Sequence, residues 1–163
     1  SAMLVGFESG SDRLLKFMRN GTTRKINDAA AALAKRLGIF LQANLMFALP
    51  TETKEDVEST IDMIKTSLNG FVLCPSIFSP YPGSDLAKIC DTNGWSAVEN
   101  YDFQRGAGGG KKLKELEAFD FTYDWLYKRL AEEGIYGGNV KLQETHVSLK
   151  ELAQMGESRL VMQ

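Results

Sequence analysis

Residues 41–49 constrain the fold most, because they form an apolar run that ends abruptly at a proline. The run reads LQANLMFAL, with the polar Asn44 at its middle. A nearly continuous apolar run is typical of a parallel strand buried on both faces. Pro50 cannot donate to a sheet ladder, so the strand should end there. The next residues predict a helix start, with N-cap candidates and negative charge at its positive end: Thr51, Glu52, Thr53, Glu55 and Asp56.

The same alternation of strand and helix occurs on both sides of this run. Residues 24–37 carry Ile26, Ala30, Leu33 and Leu37 at the spacing of one helical face. The predicted elements are strands at 3–7, 41–49 and 71–78 and helices at 12–19, 24–37, 54–68 and 85–92. Strand ends thus recur at roughly the length of one βα unit. We therefore predict an α/β fold with about three parallel βα units, as part of a (β/α) barrel or of an open sheet.

Three details refine this prediction. Leu14, Leu15 and Met18 should turn inward from the short helix 12–19. Pro75 interrupts the third strand and suggests a bulge or an edge position. Ser11 is a fair N-cap for the first helix.

The pattern changes after Trp95. Residues 106–110 (GAGGG) indicate a flexible linker. They do not form a phosphate-binding P-loop, because Arg105 stands where that motif needs glycine. We expect three parts: a βα domain at 1–94, a linker at 95–112, and an α-rich tail at 113–163 with helices at 114–133 and 149–160.

Composition excludes several classes of function. The net charge is −2, which favours neither nucleic acid nor an anionic membrane as a partner. No apolar run is long enough to span a bilayer, and no leader precedes LVGFES, so a cytoplasmic protein is expected. Ser1 and Ala2 resemble a scar left by tag removal. The two cysteines, Cys74 and Cys90, are expected to be buried, reduced thiols.

Polar residues follow each predicted strand and define a candidate site. The carboxyl ends of neighbouring parallel strands meet at one edge of a sheet. A carboxylate and an amide there could bind ribose hydroxyls or an ammonium group, and Met46 and Ile77 could flank a flat apolar ring. Glu52 is interpreted as a capping charge rather than a general base, and His146, the only histidine, has no partner for catalysis. The clusters are Glu8 with Ser9, Asn44 with 48–52, and 79–81.

Three segments in this order resemble the second half of a radical SAM core, over about residues 4–94. They read GFESGSDRLLKFMRNGTTRK, QANLMFALPTETKEDVESTIDMI and SIFSPYPGSDLAKIC. The resemblance is closest to the branch with cobalamin-dependent and anaerobic-cyclase-like enzymes, and it implies the last three of six βα units in a partial barrel. It also implies a parent enzyme that cleaves S-adenosylmethionine reductively to a 5′-deoxyadenosyl radical.

The resemblance assigns two groups of residues to the cofactor. At the methionine end, Glu8 and Ser9 match a motif that contacts the amino group or the ribose. Arg19 is nearest to a basic residue that meets the carboxylate.

At the adenosyl end, Asn44 matches a position that contacts the ribose, and Met46 one beside the adenine. Ser79 and Tyr81 match a strand end whose backbone reads the adenine edge. Ala48 begins a turn in which the family usually has glycine, so close approach of the backbone is less favoured there.

The chain departs from this family in one large respect. The cluster of a radical SAM enzyme, a 4Fe–4S cluster, is held by a CxxxCxxC loop, and the chain has neither that loop nor enough cysteines. We therefore expect a piece of a longer enzyme that holds part of the cofactor site, no metal ligand and no catalytic residue, and that is inactive alone. Whether the parent binds cobalamin is left open.

Two other interpretations remain. The chain could be a complete small α/β module that binds a nucleotide without iron chemistry, or an interaction domain that uses the aromatic helix 114–133. If the strand at 3–7 lacks a neighbour, its apolar edge is exposed, and we expect self-association through that edge or through the tail.

Overall fold

The computed structural model describes residues 2–96 and 112–135. Residues 97–111 of the linker predicted at 95–112, His146 and the predicted helix at 149–160 lie outside the described residues. The strands are β1 (Ala2–Glu8), β2 (Phe40–Phe47) and β3 (Val72–Ile77). The helices are α1 (Asp12–Phe17), α2 (Arg24–Arg36), α3 (Lys54–Thr66), α4 (Asp85–Thr92) and α5 (Tyr123–Glu132).

The three strands form one parallel sheet in the order β1-β2-β3. Helices alternate with the strands, and α5 follows as part of a helical tail. The predicted α/β class with three parallel βα units is therefore confirmed. Pro75 was expected at a bulge or at an edge position. It lies on the edge strand β3 and pairs with Leu45 without a break in register, so the edge position is the one found. The register shift in the sheet lies in β1, between Gly6 and Glu8.

Local capping explains where the helices begin. Ser11 accepts a hydrogen bond from the Leu14 backbone N–H and begins α1, as predicted. At α3, Thr53 and Asp56 form a capping box, in which each side chain accepts from the other residue's backbone N–H. Ser11 and Thr53 are predicted caps, since each depends on a residue three positions away, whereas Thr51, the other candidate for α3, is not its N-cap.

The prediction that β2 is buried on both faces is wrong for this structure. Its odd-numbered residues, Leu41 to Phe47, are buried, whereas Gln42, Asn44 and Met46 are half-buried. The helices cover the odd-numbered face. We call the other face, with Gln42, Asn44 and Met46, the open face of the sheet.

The apolar stripe of α2 is not its buried face. The structure buries Asn27, Ala31 and Ala34, while Ile26, Leu33 and Leu37 are between 45% and 60% exposed. The rotation follows from polar anchoring, because the Asn27 side-chain amide donates to the Phe7 carbonyl at 3.1 Å.

The predicted helix 114–133 is also wrong in its first half, because only Tyr123–Glu132 is helical. Thr122 caps this helix, and the residues before it form turns. Those turns are nevertheless part of the core, since Leu113, Ala118, Phe119 and Phe121 are buried.

Candidate functional site

The carboxyl ends of β1, β2 and β3 lie side by side, because the strands are neighbours in the sheet. The loop between α1 and α2 also reaches the helix that follows β3. Arg19, after α1, is 3.6 Å from Asp85 at the start of α4. Both side chains are largely exposed, so this ion pair contributes little stability. It shows that the loop between α1 and α2 comes within reach of the start of α4.

Glu8 ends β1 with its carboxyl folded back onto the open face. A Cβ placed on Gly6 would collide with the Glu8 Oε1 and would lie 3.4 Å from its Cδ. Gly6 is the register partner of Asn44, whose side chain is on the open face. The Glu8 backbone is left-handed, with φ at 60°. Burial raises the pKa of the Glu8 carboxyl above its ordinary value.

Asn44 is the centre of a polar row on the open face. Its register partners are Gly6 on β1 and Cys74 on β3. The Gln42 side-chain amide donates to the Asn44 Oδ1 at 3.2 Å. Met46 is half-buried on the same face, one pair further towards the strand ends, opposite Ser76. The row thus combines an amide, a thiol and an apolar side chain beside the Glu8 carboxyl.

Ser9 is held by the protein itself. Its side chain is fully buried, and its hydroxyl lies 3.3 Å from the Thr60 Oγ1 and accepts from the Ser11 backbone N–H at 3.1 Å. The structure therefore places Ser9 between the β1 end and α3. Gly10 allows this close approach, because a Cβ there would lie 2.6 Å from the Ser59 carbonyl carbon and 2.8 Å from the Thr60 Cα.

The turn after β2 is strained and contains a buried carboxyl. Ala48 and Thr51 have left-handed φ angles of 57° and 66°. The Glu52 side chain is fully buried, and its Oε2 accepts from the Leu49 backbone N–H at 3.0 Å. Its Oε1 has no partner within the described residues. Desolvation raises the pKa of Glu52 to about 8, although backbone hydrogen bonds at Leu49 and Ala48 oppose this.

The expected capping role of Glu52 is therefore wrong. Its carboxyl closes the turn before α3, while Asp56 completes the capping box. Burial by itself would raise the pKa of Asp56, but hydrogen bonds from Arg13, Ser11 and Thr53 hold it below its ordinary value. Asp56 therefore links α1 to the start of α3 as an ionised group.

The residues after β3 complete the cluster at the strand ends. The Phe78 backbone N–H donates to the Phe47 carbonyl at 2.7 Å, which fixes the chain just before Ser79. The Ser79 Oγ is buried and has no hydrogen-bond partner within the described residues. Tyr81 is 59% exposed. The structure thus brings together the ends of all three strands, but it ties the Ser9 side chain into the protein and leaves the Tyr81 and Arg19 side chains exposed.

The sequence interpretation missed several residues around the site. Gly6 and Gly10 were quoted within a motif but not singled out, and only their surroundings reveal why glycine is needed. Thr53 and Asp56 were named as an N-cap candidate and a negative charge, but their spacing of three residues, which signals a capping box, was missed. No comparable local signal exists for the burial of Glu52 or for the position of Cys74 beside Asn44.

Within the described ranges, no group of three His, Cys, Asp or Glu side chains could hold a metal ion. Cys90 is buried on α4, and Cys74 is half-buried on β3. The helices of the described residues all lack the combined length and apolar character that spanning a bilayer requires.

Comparison with known proteins identifies relatives over part of their length. No protein-family model matches the chain. A protein of Methanocaldococcus jannaschii named as a methylthiotransferase is 36% identical over 76% of this chain and 27% of its own length. A Pyrococcus horikoshii protein named as an uncharacterized methyltransferase is 32% identical over 59% of this chain and 21% of its own length.

A third relative has a more specific name. The tRNA-2-methylthio-N(6)-dimethylallyladenosine synthase of Aquifex aeolicus is 31% identical over 55% of this chain and 20% of its own length. The chain thus spans 20% to 27% of the length of these three relatives. The methylthiotransferases among them are radical SAM enzymes, and the chain therefore belongs to the radical SAM superfamily, with the C-terminal half of the core as its region of resemblance.

Proposed function

We propose that the chain is part of a longer radical SAM enzyme and forms one wall of its S-adenosylmethionine site. The observation that carries this proposal is the Glu8 carboxyl, which folds over Gly6 onto the open face beside Asn44. A carboxyl and an amide on one strand-end surface are suited to an ammonium group and to ribose hydroxyls. The Ser79 Oγ at the neighbouring strand end has no hydrogen-bond partner among the described residues and offers a further polar contact.

The cofactor's two ends would be held by different residues. Glu8 would bind the methionine amino group or the ribose, Asn44 the ribose, and Arg19 the methionine carboxylate. Ser9, whose hydroxyl is engaged with Thr60, would act by fixing the backbone next to Glu8.

At the adenine, the half-buried Met46 would supply an apolar surface. The turn that begins at Ala48 and the chain at Ser79 and Tyr81 would approach the ring through their backbones. This arrangement supplies binding and orientation, and it assigns no proton transfer to the chain.

The residues of this chain do not fit the iron–sulfur cluster that the family uses. A cluster with three thiolate ligands needs three cysteines in one loop. The chain has two, and they lie on different elements, β3 and α4. In our proposal the longer enzyme cleaves S-adenosylmethionine reductively, other parts of it hold the cluster, and the isolated chain is inactive. Nothing in the described residues indicates a cobalamin site.

A tRNA is the substrate class that the relatives' names suggest for the longer enzyme. Several of them are named for a methylthio-modified adenosine of tRNA. The net charge of −2 led to the expectation of no nucleic-acid partner, but that argument extends only to this chain. Comparing 2-methylthio nucleosides in tRNA from cells with and without the gene would test this substrate. An unchanged nucleoside profile would exclude it.

Calorimetric titration of the chain with S-adenosylhomocysteine, a stable analogue, tests the proposed site. We expect weak binding, on the order of 1 mM, because one wall is present. Asn44→Ala and Glu8→Gln should each weaken it several-fold, whereas Glu55→Gln, an exposed control at the start of α3, should not. Equal binding by all four proteins would refute the assignment. Tighter binding of adenosine triphosphate would favour the nucleotide-binding module.

A further inference from the structure

The segment Leu113–Phe121 lies far from the strand ends in sequence but bonds directly to the turn after β2. The Thr51 backbone N–H donates to the Ala118 carbonyl at 2.6 Å. The Lys54 backbone N–H donates to the Asp120 Oδ1 at 2.8 Å. The Asp120 backbone N–H donates to the Glu52 carbonyl at 3.4 Å. We call Leu113–Phe121 the brace.

The brace is itself firmly held. Phe119 and Phe121 are buried and stack with ring centroids 4.6 Å apart. The Tyr123 hydroxyl accepts from the Leu113 backbone N–H at 3.1 Å. These contacts anchor both ends of the brace in the core, so the brace can restrain the turn after β2.

The helix after the brace is fixed to α3 as well. Arg129 forms a bidentate ion pair with Glu58, in which Nε donates to Oε1 at 2.6 Å and Nη2 donates to Oε2 at 2.7 Å. Lys65 lies 2.6 Å from Glu133 just beyond α5. The brace and α5 therefore form one unit that packs along α3. This helix begins directly after the turn that follows β2.

The turn needs such support because its backbone is strained. Ala48 and Thr51 are left-handed without being glycine, and such residues persist where their surroundings over-determine them. The Thr51 backbone N–H donates to the brace, and Asp120 accepts from the first backbone N–H of α3. The brace therefore holds the strained turn where it joins α3.

We propose that the brace is an integral part of the cofactor site and that Asp120 is a positioning residue for the turn after β2. This inference rests on the proposed function, since that function gives the turn its cofactor. It assigns a role to a segment that the sequence indicated only as an accessory tail.

The sharpest test removes one hydrogen bond and little else. Lys54→Pro deletes the N–H that Asp120 accepts, at the first position of a helix, where proline is favoured. Thr53 already has the extended backbone that must precede proline, with φ −109° and ψ 163°. Lys54→Ala is the matched control, because it removes the same ammonium group, including its contact 5.3 Å from the Trp125 ring, but keeps the N–H.

Amide hydrogen exchange measured by NMR is the first readout. We expect exchange at Thr51 to become at least ten-fold faster in Lys54→Pro than in Lys54→Ala, while the Ala43 and Leu45 amides of β2 keep their protection. Asp120→Ala should behave like Lys54→Pro, and Asp120→Asn, which keeps an acceptor oxygen, should restore slow exchange. Unchanged exchange at Thr51 in both Lys54→Pro and Asp120→Ala would overturn the role of the brace.

Affinity for S-adenosylhomocysteine is the second readout. It should fall three- to ten-fold in Lys54→Pro and stay at the wild-type value in Lys54→Ala. Faster exchange with unchanged affinity would refute the link between brace and cofactor. If the wild-type chain binds no analogue, the proposed function fails at this surface, while the exchange measurement still decides whether Asp120 positions the turn.

Discussion

Glu52 should make the stability of this protein fall as pH rises from about 4.5 to about 8. Its carboxyl is fully buried, with one oxygen bonded to the Leu49 backbone N–H and the other without a described partner. Desolvation is the largest cause that raises the pKa of Glu52, from 4.5 to about 8. The folded protein therefore keeps a proton that the unfolded chain loses near pH 4.5.

The sign and size follow from proton linkage. Where the folded state binds more protons than the unfolded state, the free energy of unfolding falls with rising pH. Below pH 4.5 both states are protonated, and above about pH 8 both are ionised. The difference of 8 − 4.5 = 3.5, at 1.36 kcal/mol for each pH unit, gives an upper limit of roughly 5 kcal/mol.

Urea unfolding of the wild type and of Glu52→Gln at pH 5, 6, 7 and 8 measures this effect. Glutamine cannot ionise, and its side-chain oxygen can still accept from the Leu49 backbone N–H. The variant should therefore lose less stability across this range and be more stable than the wild type at pH 8. Glu55→Gln, at an exposed position of the same helix start, should follow the wild-type curve. Parallel curves for the wild type and Glu52→Gln would refute the reasoning.

Three further predictions concern packing, charge and association. Gly10→Ala should lower the free energy of unfolding by about 3 kcal/mol, because its Cβ would meet the α3 backbone. The control Gly21→Ala, in open space at φ 69°, should lower it by about 1 kcal/mol in the same urea assay. Equal losses in the two variants would exclude the clash at Gly10. Asp56→Asn should lower the free energy of unfolding by about 2 kcal/mol at pH 7 and by less at pH 3. The pKa of Asp56 is lowered in the folded protein, so its carboxylate stabilises the fold above the unfolded pKa, and this stabilisation is lost as pH falls. A loss that does not depend on pH would contradict this. Self-association is predicted through the edge of the strand at 3–7 or through the tail, and β1 is an edge strand of the described sheet, with Leu4 61% exposed. Leu4→Lys should therefore reduce self-association in light scattering at high concentration, and a wild-type chain that stays monomeric there would refute the predicted association.

The order of elements could be read from the sequence because its signals are local. Ser11 and Thr53 cap helices through residues three positions away. Pro50 follows the apolar run directly, and β2 ends at Phe47, two residues before the predicted end at residue 49. Such features act within one turn of chain, so neither the neighbouring strands nor the core was needed to recognise them. Alternation of these units then implied a parallel sheet with its strand ends on one side.

The buried face of each helix could not be predicted from the sequence in the same way. Ile26, Leu33 and Leu37 form a regular apolar stripe, yet α2 buries Asn27 because that amide reaches the Phe7 carbonyl. A hydrophobic period shows that a helix has two unlike faces. It does not say which neighbour each face will meet, because that depends on partners distant in sequence.

The alternation of strands and helices, the helix caps and the resemblance to the family could all be predicted from the sequence, since adjacent residues carry them. Three other properties arise only when the chain folds: Glu52 is buried, the Ser9 hydroxyl bonds to Thr60, and Asp120 reaches the turn after β2. Each of these depends on atoms brought together by folding: Asp120 and Lys54 are 66 positions apart. Burial and hydrogen bonding at such separations are properties of the packed chain, and they give the strand ends their geometry and charge.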